Sequence, residues 1–189
     1  MNINSTNDHR HQLLELLYEY KARFQAEAEL AKRFIQFVQS HEDCFERSLL
    51  IGHVTASVWL TDTKCERVLL THHIGLNAWL QLGGHADGCS DPFAVALKEA
   101  REESGINEIE FIQKRIFDLD IHRIPAKKKS PEHLHYDVRF LCQTVVTDDY
   151  TVSDESHDLK WVDMKQLSTL NVDESILRMQ HKFIHHPIS

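Results

Sequence analysis

The segment from residue 83 to residue 106 limits the fold of this chain more than any other. It holds the pair Gly83–Gly84, then Pro92, then Gly105. Proline is favoured in the first turn of a helix, and glycine is favoured directly after the last turn. The sequence therefore predicts a loop that opens at the double glycine and a helix that begins at Pro92 and ends before Gly105.

Three carboxylates on this predicted helix face the same way. Glu99, Glu102 and Glu103 are spaced i, i+3 and i+4, which places them on one helix face. Two unit charges about 5 Å apart repel by roughly 3 kcal/mol at an effective dielectric near 20. A hard cation removes that cost, and Mg²⁺ suits carboxylates that share it with substrate phosphates. The alternative is a solvated acidic face without a ligand.

The pattern over residues 84–106 resembles the Nudix box, G-x5-E-x7-R-E-U-x-E-E-x-G-U, in which U is a bulky apolar residue. The three glutamates fall in register with that box, as do Gly105 and Ile106. Residues 79–84 and 159–162 are also similar to segments of the family. The looser resemblance covers about residues 53–170.

Three positions depart from the box. Ser90 stands in place of its early glutamate, Lys98 in place of its arginine and Ala100 in place of a bulky apolar residue. In the family, that arginine and that glutamate orient the metal-binding carboxylates. A Lys98–Ser90 contact cannot replace an Arg–Glu pair, because lysine is not a bidentate fork. Asp87 or Asp91 could supply the missing carboxylate, so we expect Ser90, Lys98 and Asp87 to form an altered supporting shell.

The resemblance implies a fold, a cofactor and residue roles. The fold is of the α/β (α+β) class, an α/β/α sandwich around a mixed sheet, and the cofactor is Mg²⁺ or Mn²⁺. The implied metal ligands are the Gly83 carbonyl and the carboxylates of Glu99, Glu102 and Glu103. Glu102, Glu103 and Glu155 are the implied catalytic residues; Glu155 precedes the late tryptophan strand and serves as general base or further ligand, with Asp154 and Asp158 as neighbours that could take its role.

Histidines and one lysine are candidate substrate contacts. His85 directly follows the double glycine, and His133 and His135 alternate on a predicted strand, so both face the same side. Lys128 is central in the run of three lysines at 127–129. As a group the histidines favour Mn²⁺ or a histidine-assisted site. The alternatives are hydrogen-bonded surface histidines and a solvated lysine loop.

The rest of the chain divides into an N-terminal extension and a main domain. Residues 8–40 hold apolar residues at helical spacing and no glycine or proline, which predicts one long or two successive amphipathic helices. We expect residues 1–48 to form this extension and residues 49–189 to form the Nudix domain. The apolar stripe could cover that domain or pair with a second copy, so a homodimer is an open alternative.

Short runs rich in β-branched residues predict the strands of the main domain. They cover residues 53–61, 67–71, 109–124, 134–147 and 159–162, and helices are expected at 164–170 and 174–185. This mixture of strands and helices contains no repeats.

Composition excludes several functions. A net charge of −8 argues against a nucleic-acid binder, whose affinity rests on basic surface. There is no apolar run long enough for a membrane span and no apolar signal core, and the four cysteines suit reduced thiols. We therefore expect a cytoplasmic enzyme without specific nucleic-acid or membrane partners.

The leading hypothesis is a MutT-like pyrophosphatase, which cleaves the diphosphate linkage of a nucleoside-diphosphate derivative or a related small molecule. Two rivals stay open. One is an isomerase of the isoprenoid-diphosphate type, which needs a cysteine and a glutamate at an allylic carbon; Cys89 is the cysteine near the box. The other is a non-catalytic ligand sensor or partner-binding module on the same fold.

Overall fold

The computed structural model describes residues 8–73, 77–126, 131–152 and 158–185. The elements, in chain order, are α1 (His11–Arg23), α2 (Ala28–Ser40), β1 (Gly52–Thr61), β2 (Arg67–His73), β3 (Ala78–Leu80), β4 (Leu82–His85), α3 (Pro92–Ser104), β5 (Ile109–Ile124), β6 (His133–Thr144), β7 (Leu159–Asp163) and α4 (Glu174–His185). None of the helices described is long and apolar enough to cross a membrane.

The seven strands form one mixed sheet. Along its main path the order is β3, β2, β1, β6 and β5, while β4 pairs with β1 and β7 pairs with β2. β1 and β6 run parallel over the whole of β1, from Gly52 opposite Leu134 to Thr61 opposite Gln143. The other pairs are antiparallel. Because β1 is central in the sheet, its side chains are covered on both faces.

Successive side chains of β1 point to opposite faces of the sheet, and each face packs into a separate apolar cluster. Val54, Ala56 and Val58 belong to the larger apolar cluster, which includes residues of α1, α2 and α3. Trp59 belongs to the second cluster, which is formed with α4 and the segment before it. Helices therefore cover both faces, and the predicted α/β/α sandwich around a mixed sheet is confirmed.

The N-terminal helices pack on the sheet of their own chain. Leu17 on α1 and Phe34 on α2 are fully buried within the larger cluster. The ring of Phe37 stacks on Tyr136 of β6 with the centroids 3.7 Å apart. The apolar stripe thus covers the main domain, which removes the observation that favoured a homodimer. The boundary between residues 48 and 49 stays a prediction.

Two local expectations need correction. The loop expected to open at Gly83–Gly84 begins later, because residues 82–85 form β4 and pair with β1. Of the two arrangements expected for the segment 8–40, the structure has two successive helices: α1 ends at Arg23, and a 3-10 turn over Gln25–Glu27 leads into α2. The expected helix at 164–170 is also a 3-10 segment, Met164–Thr169.

A buried ionic network joins β5, β6 and α4. The Arg139 guanidinium is almost fully buried on β6, with Asp137, Asp118 and Asp120 at 2.8, 3.3 and 3.4 Å. Asp118 on β5 also contacts Arg178 at 2.7 Å and Lys182 at 2.6 Å, both from α4. Burial alone would raise the pKa of Asp118, but these three cations lower it below its usual range.

Lys182 extends the same network to the N-terminal helices. Its ammonium group donates to the Tyr20 hydroxyl at 2.5 Å and lies 2.7 Å from Glu27. Charged groups withdrawn from water are costly unless they are paired and hydrogen-bonded. The extension therefore supplies partners that the interior of the main domain requires.

Arg139→Met should destabilise the protein strongly, because it leaves Asp118 and Asp137 buried with fewer partners. We expect a loss of about 3–5 kcal/mol in the free energy of unfolding, measured by urea titration. The matched control is Arg123→Met on β5, where Arg123 forms an exposed pair with Glu132 at 3.3 Å. That variant should change the same quantity by less than about 1 kcal/mol. Equal losses in both variants would contradict the role given to the network.

Candidate active site

A cavity of about 450 Å³ lies where α3, β4 and one face of the sheet meet. Its lining includes Gly83 and Gly84 of β4, Glu99 and Glu103 of α3, and Asp137 of β6. A cavity of this size with converging polar groups is typical of a small-molecule site. Three of the four implied metal ligands therefore line one cavity.

The ends of α3 fix the position of these glutamates. The Asp91 carboxylate accepts hydrogen bonds from the backbone N–H groups of Phe93 and Ala94, and Gly105 ends the helix at a φ of 71°. Ala96 and Ala100 are buried against the sheet. Small apolar residues bring the helix close to β4 and β1, so the glutamates reach the cavity. Because Asp91 caps the helix, its carboxylate is engaged there.

Gly84 makes room for the Glu99 carboxylate. A Cβ atom built on Gly84 would stand 2.1 Å from Oε2 of Glu99, far inside van der Waals contact. At Gly83 a Cβ would similarly overlap Ser57 of β1. The double glycine is thus explained by close approach: one residue lets β4 pair with β1, and the next admits the carboxylate.

Lys98 contacts the box glutamates themselves. Its ammonium group donates to Glu99 at 3.0 Å and lies 3.2 Å from Glu102, and these two carboxylates raise its pKa. Glu102 is the most exposed of the three glutamates and does not line the cavity, unlike Glu99 and Glu103. Lys98 therefore neutralises part of the charge that the box arginine would face.

Asp87 pairs with Arg47 at the cavity rim. One oxygen of Asp87 accepts from Arg47 at 2.5 Å, and this guanidinium holds the pKa of Asp87 below its usual range. Ser90 is half-buried in the loop that follows. The expectation that Ser90, Lys98 and Asp87 support the ligands stays a prediction.

A polar face of the sheet supplies the floor of the cavity, which Thr55, Ser57, His135 and Asp137 line. His53, Thr55 and Ser57 of β1 stand opposite His135, Asp137 and Arg139 of β6. The hydroxyl groups of Thr55 and Ser57 donate to Asp137 at 2.8 and 2.7 Å, and Gln81 donates to it at 3.2 Å. Sequence analysis missed this face. The alternating polar residues at 53, 55 and 57 and at 133, 135, 137 and 139 were its signal.

Three histidine rings lie together beside that floor, and two of them, His85 and His135, line the cavity. The ring centroids of His53, His85 and His135 lie 4.8–5.1 Å apart. Burial lowers the pKa of His85 to about 4 and that of His135 to about 2, and it also lowers the pKa of His53. All three rings are therefore neutral at neutral pH. His133 lies next to them, 5.0 Å from His53 between centroids, and its Nδ1 is 2.9 Å from the Pro131 carbonyl.

The structure does not describe three of the expected site residues, and two others, Asp158 and Cys89, do not line the cavity. Lys128, Asp154 and Glu155 lie outside the described residues, so their roles stay predictions. Asp158 is exposed, and its carbonyl accepts from the backbone of His72. Cys89 is exposed on the loop before α3 and does not line the cavity.

The fold and the site together define a class of protein. It has an α/β/α architecture around a mixed sheet, and its glutamate helix and double glycine form one cavity. A family model described as the NUDIX domain matches residues 52–183, more than half of the chain. The chain therefore belongs to the NUDIX family. The expected enzyme class, a Nudix-type pyrophosphohydrolase acting on acid anhydrides, is confirmed at this level.

Solved structures share this fold. A NUDIX-family hydrolase from Clostridium perfringens is 24% identical with a TM-score of 0.55, and the match covers 71% of this chain and 98% of that one. A C. elegans Ap4A hydrolase is 17% identical with a TM-score of 0.57 over 70% and 96% of the two chains. The E. coli dihydroneopterin triphosphate pyrophosphohydrolase is 15% identical with a TM-score of 0.57 over 71% and 96%. At these identities the likeness shows the fold alone. No curated protein matches the chain.

Gly84→Ala should displace the Glu99 carboxylate and weaken divalent-metal binding at least tenfold, because the added methyl group occupies its place. Mn²⁺ titration followed by electron paramagnetic resonance measures this. The control is Gly105→Ala, which strains the helix end at positive φ, costs about 1 kcal/mol of stability and should leave Mn²⁺ affinity unchanged. Unchanged Mn²⁺ affinity in Gly84→Ala would contradict the role given to Gly84.

Proposed function

We propose that this enzyme hydrolyses the diphosphate linkage of a nucleoside-diphosphate derivative or a related small-molecule pyrophosphate, with Mg²⁺ or Mn²⁺ as cofactor. The observation that carries the proposal is the Glu99 carboxylate seated on Gly84 in one cavity with Glu103. Such a carboxylate pair beside a backbone free of side chains suits a dication that is shared with phosphate oxygens.

The donor set fits a hard cation. Glu99, Glu103 and the Gly83 carbonyl offer oxygen atoms only, which Mg²⁺ and Mn²⁺ prefer. When bound, the cation supplies positive charge that neutralises the diphosphate and polarises phosphorus. Glu102, at the rim with Lys98, is proposed as a further ligand.

The remaining lining groups would bind and orient the substrate. Arg47 at the rim presents a guanidinium, which suits paired phosphate oxygens. His85 and His135 are proposed as neutral hydrogen-bonding contacts to the substrate, His133 as a further hydrogen-bonding contact, and Lys128 as a cationic one. Proton transfer from the attacking water needs a carboxylate within reach. Glu103 is the described candidate for that base, and Glu155 is the candidate from the family resemblance.

The isomerase alternative lacks its cysteine. Among the described residues, the lining of the cavity includes no cysteine, and the thiol of Cys89 lies 3.7 Å from the carbonyl of Asp91 at the surface. The sensor alternative is favoured by Lys98, which contacts two of the carboxylates that a metal would use. Turnover separates this alternative from the hydrolase.

Glu99→Gln and Glu103→Gln should each reduce turnover by at least about 100-fold, because removal of one charged oxygen ligand weakens transition-state charge stabilisation by several kcal/mol. The assay offers ADP-ribose, dinucleoside polyphosphates, NADH, nucleoside triphosphates and isopentenyl diphosphate, with Mg²⁺ or Mn²⁺. Glu110→Gln, at an exposed position of β5, is the matched control and should keep full activity.

The outcomes of this assay are distinct. Cleavage of one substrate that is lost in both glutamine variants supports the hydrolase. Rearrangement of isopentenyl diphosphate without phosphate release would establish the isomerase instead. Tight binding of one compound with no turnover of any would establish the sensor and overturn the proposal.

A further inference from the structure

Three histidines from three strands converge beside the glutamate site. His53 belongs to β1, His85 to β4 and His135 to β6, and each offers a ring nitrogen within 4.8 Å of those offered by the other two. Strand register produces this convergence, since His53 stands opposite His135 and His85 stands opposite Thr55, two residues along β1. The rings are therefore held by the sheet itself, rather than by a mobile loop.

Three of the six ring nitrogens of this cluster are buried without a hydrogen-bond partner. His53 is 4% exposed, and neither of its ring nitrogens has a hydrogen bond with standard geometry; Nε2 of His135 is likewise buried without one. The Leu49 backbone raises the pKa of His53, but by less than burial lowers it. A buried polar group without a partner is unfavourable, because it has lost its hydrogen bonds to water. A ligand that accepts these lone pairs would recover that cost.

The arrangement fits a metal better than a hydrogen-bonded network. Three mutually close imidazoles can satisfy one another only in part, whereas one dication takes a lone pair from each. Three protein nitrogens with an open fourth position form the ligand set of catalytic zinc sites. Nitrogens on a tetrahedral zinc at about 2.0–2.1 Å stand roughly 3.3 Å apart, so the rings must approach by about 1.5 Å or less. Small rotations of side chains on fixed strands supply such a shift.

Neighbouring residues would support these ligands. His122 of β5 lies with its centroid 5.3 Å from that of His135, and its Nδ1 is 2.9 Å from Asp120. Histidine ligands are generally fixed by surrounding hydrogen bonds and rings. Since His85 and His135 line the cavity, the open position of the metal would face the same space as Glu99 and Glu103.

We propose that His53, His85 and His135 form a second metal site, which binds a transition-metal dication of the zinc class. It is distinct in chemistry from the carboxylate site, because imidazole nitrogen prefers Zn²⁺, Co²⁺ or Ni²⁺ whereas carboxylate oxygen prefers Mg²⁺ or Mn²⁺. One cavity would then hold two different cations side by side. The site does not depend on the proposed hydrolytic activity.

The test is Co²⁺ and Zn²⁺ binding to the full chain after chelator treatment. Tetrahedral Co²⁺ with imidazole ligands gives visible absorption, and competition with Zn²⁺ gives the affinity of the same site. We expect one equivalent to bind tightly to the wild type. His53→Gln, His85→Gln and His135→Gln should each weaken binding at least tenfold and abolish the absorption bands.

Two controls separate this site from others. His181 and His185 form a neighbouring pair on α4, with centroids 4.3 Å apart, that could bind Co²⁺ at the surface. The double variant His181→Gln/His185→Gln should bind the equivalent as the wild type does. Glu99→Gln/Glu103→Gln should also retain it, because the nitrogen ligands are intact.

Because His53 is buried and its variant can misfold, X-ray absorption of the zinc-loaded wild type is the second measurement. It should show about three imidazoles in the metal shell. An oxygen-only shell would overturn the proposal, as would Co²⁺ binding that is lost in Glu99→Gln/Glu103→Gln but kept in the three histidine variants. Absence of binding at micromolar Co²⁺ and Zn²⁺ would overturn it equally.

Discussion

The buried Arg139 guanidinium is the constraint on which the other parts of this structure depend. It cannot be stable in the interior unless Asp118 and Asp137 are both in place, and Asp118 in turn requires the cations of α4. Asp137 is also the acceptor for the hydroxyl groups on the cavity floor. The geometry of the site is therefore coupled to the docking of α4, none of whose described residues lines the cavity.

The cavity contains two kinds of donor that come from different parts of the fold. A helix supplies oxygen through Glu99 and Glu103, and the sheet supplies nitrogen through its histidines. The double glycine lies between them: Gly84 admits the carboxylate, and the next residue is His85. A single short strand thus determines how close the two sets of donors come.

Features that depend on residues close together in the chain could be predicted from the sequence, whereas features that depend on residues far apart could not. The helix at residues 92–104 and its glutamates were predictable, because a proline, a glycine and a spacing of three to four residues are local signals. The polar floor was not, since the contact of His53 with His135 arises from parallel pairing of strands far apart in sequence. The strand at Leu82–His85 was mistaken for a loop because glycine is usually unfavourable in strands. The packing of the apolar stripe on α1 and α2 was undecidable for the same nonlocal reason.

The contact between Tyr20 and Lys182 also has a consequence for biosynthesis. These residues are 162 positions apart, and the Tyr20 hydroxyl and Glu27 obtain a cationic partner from α4. Long-range contacts form late, and domains complete their folding only when the required segments have emerged from the ribosome. α1 is synthesised well before α4, so the Tyr20 hydroxyl and the Glu27 carboxylate are without this cation until the later part of the chain has emerged.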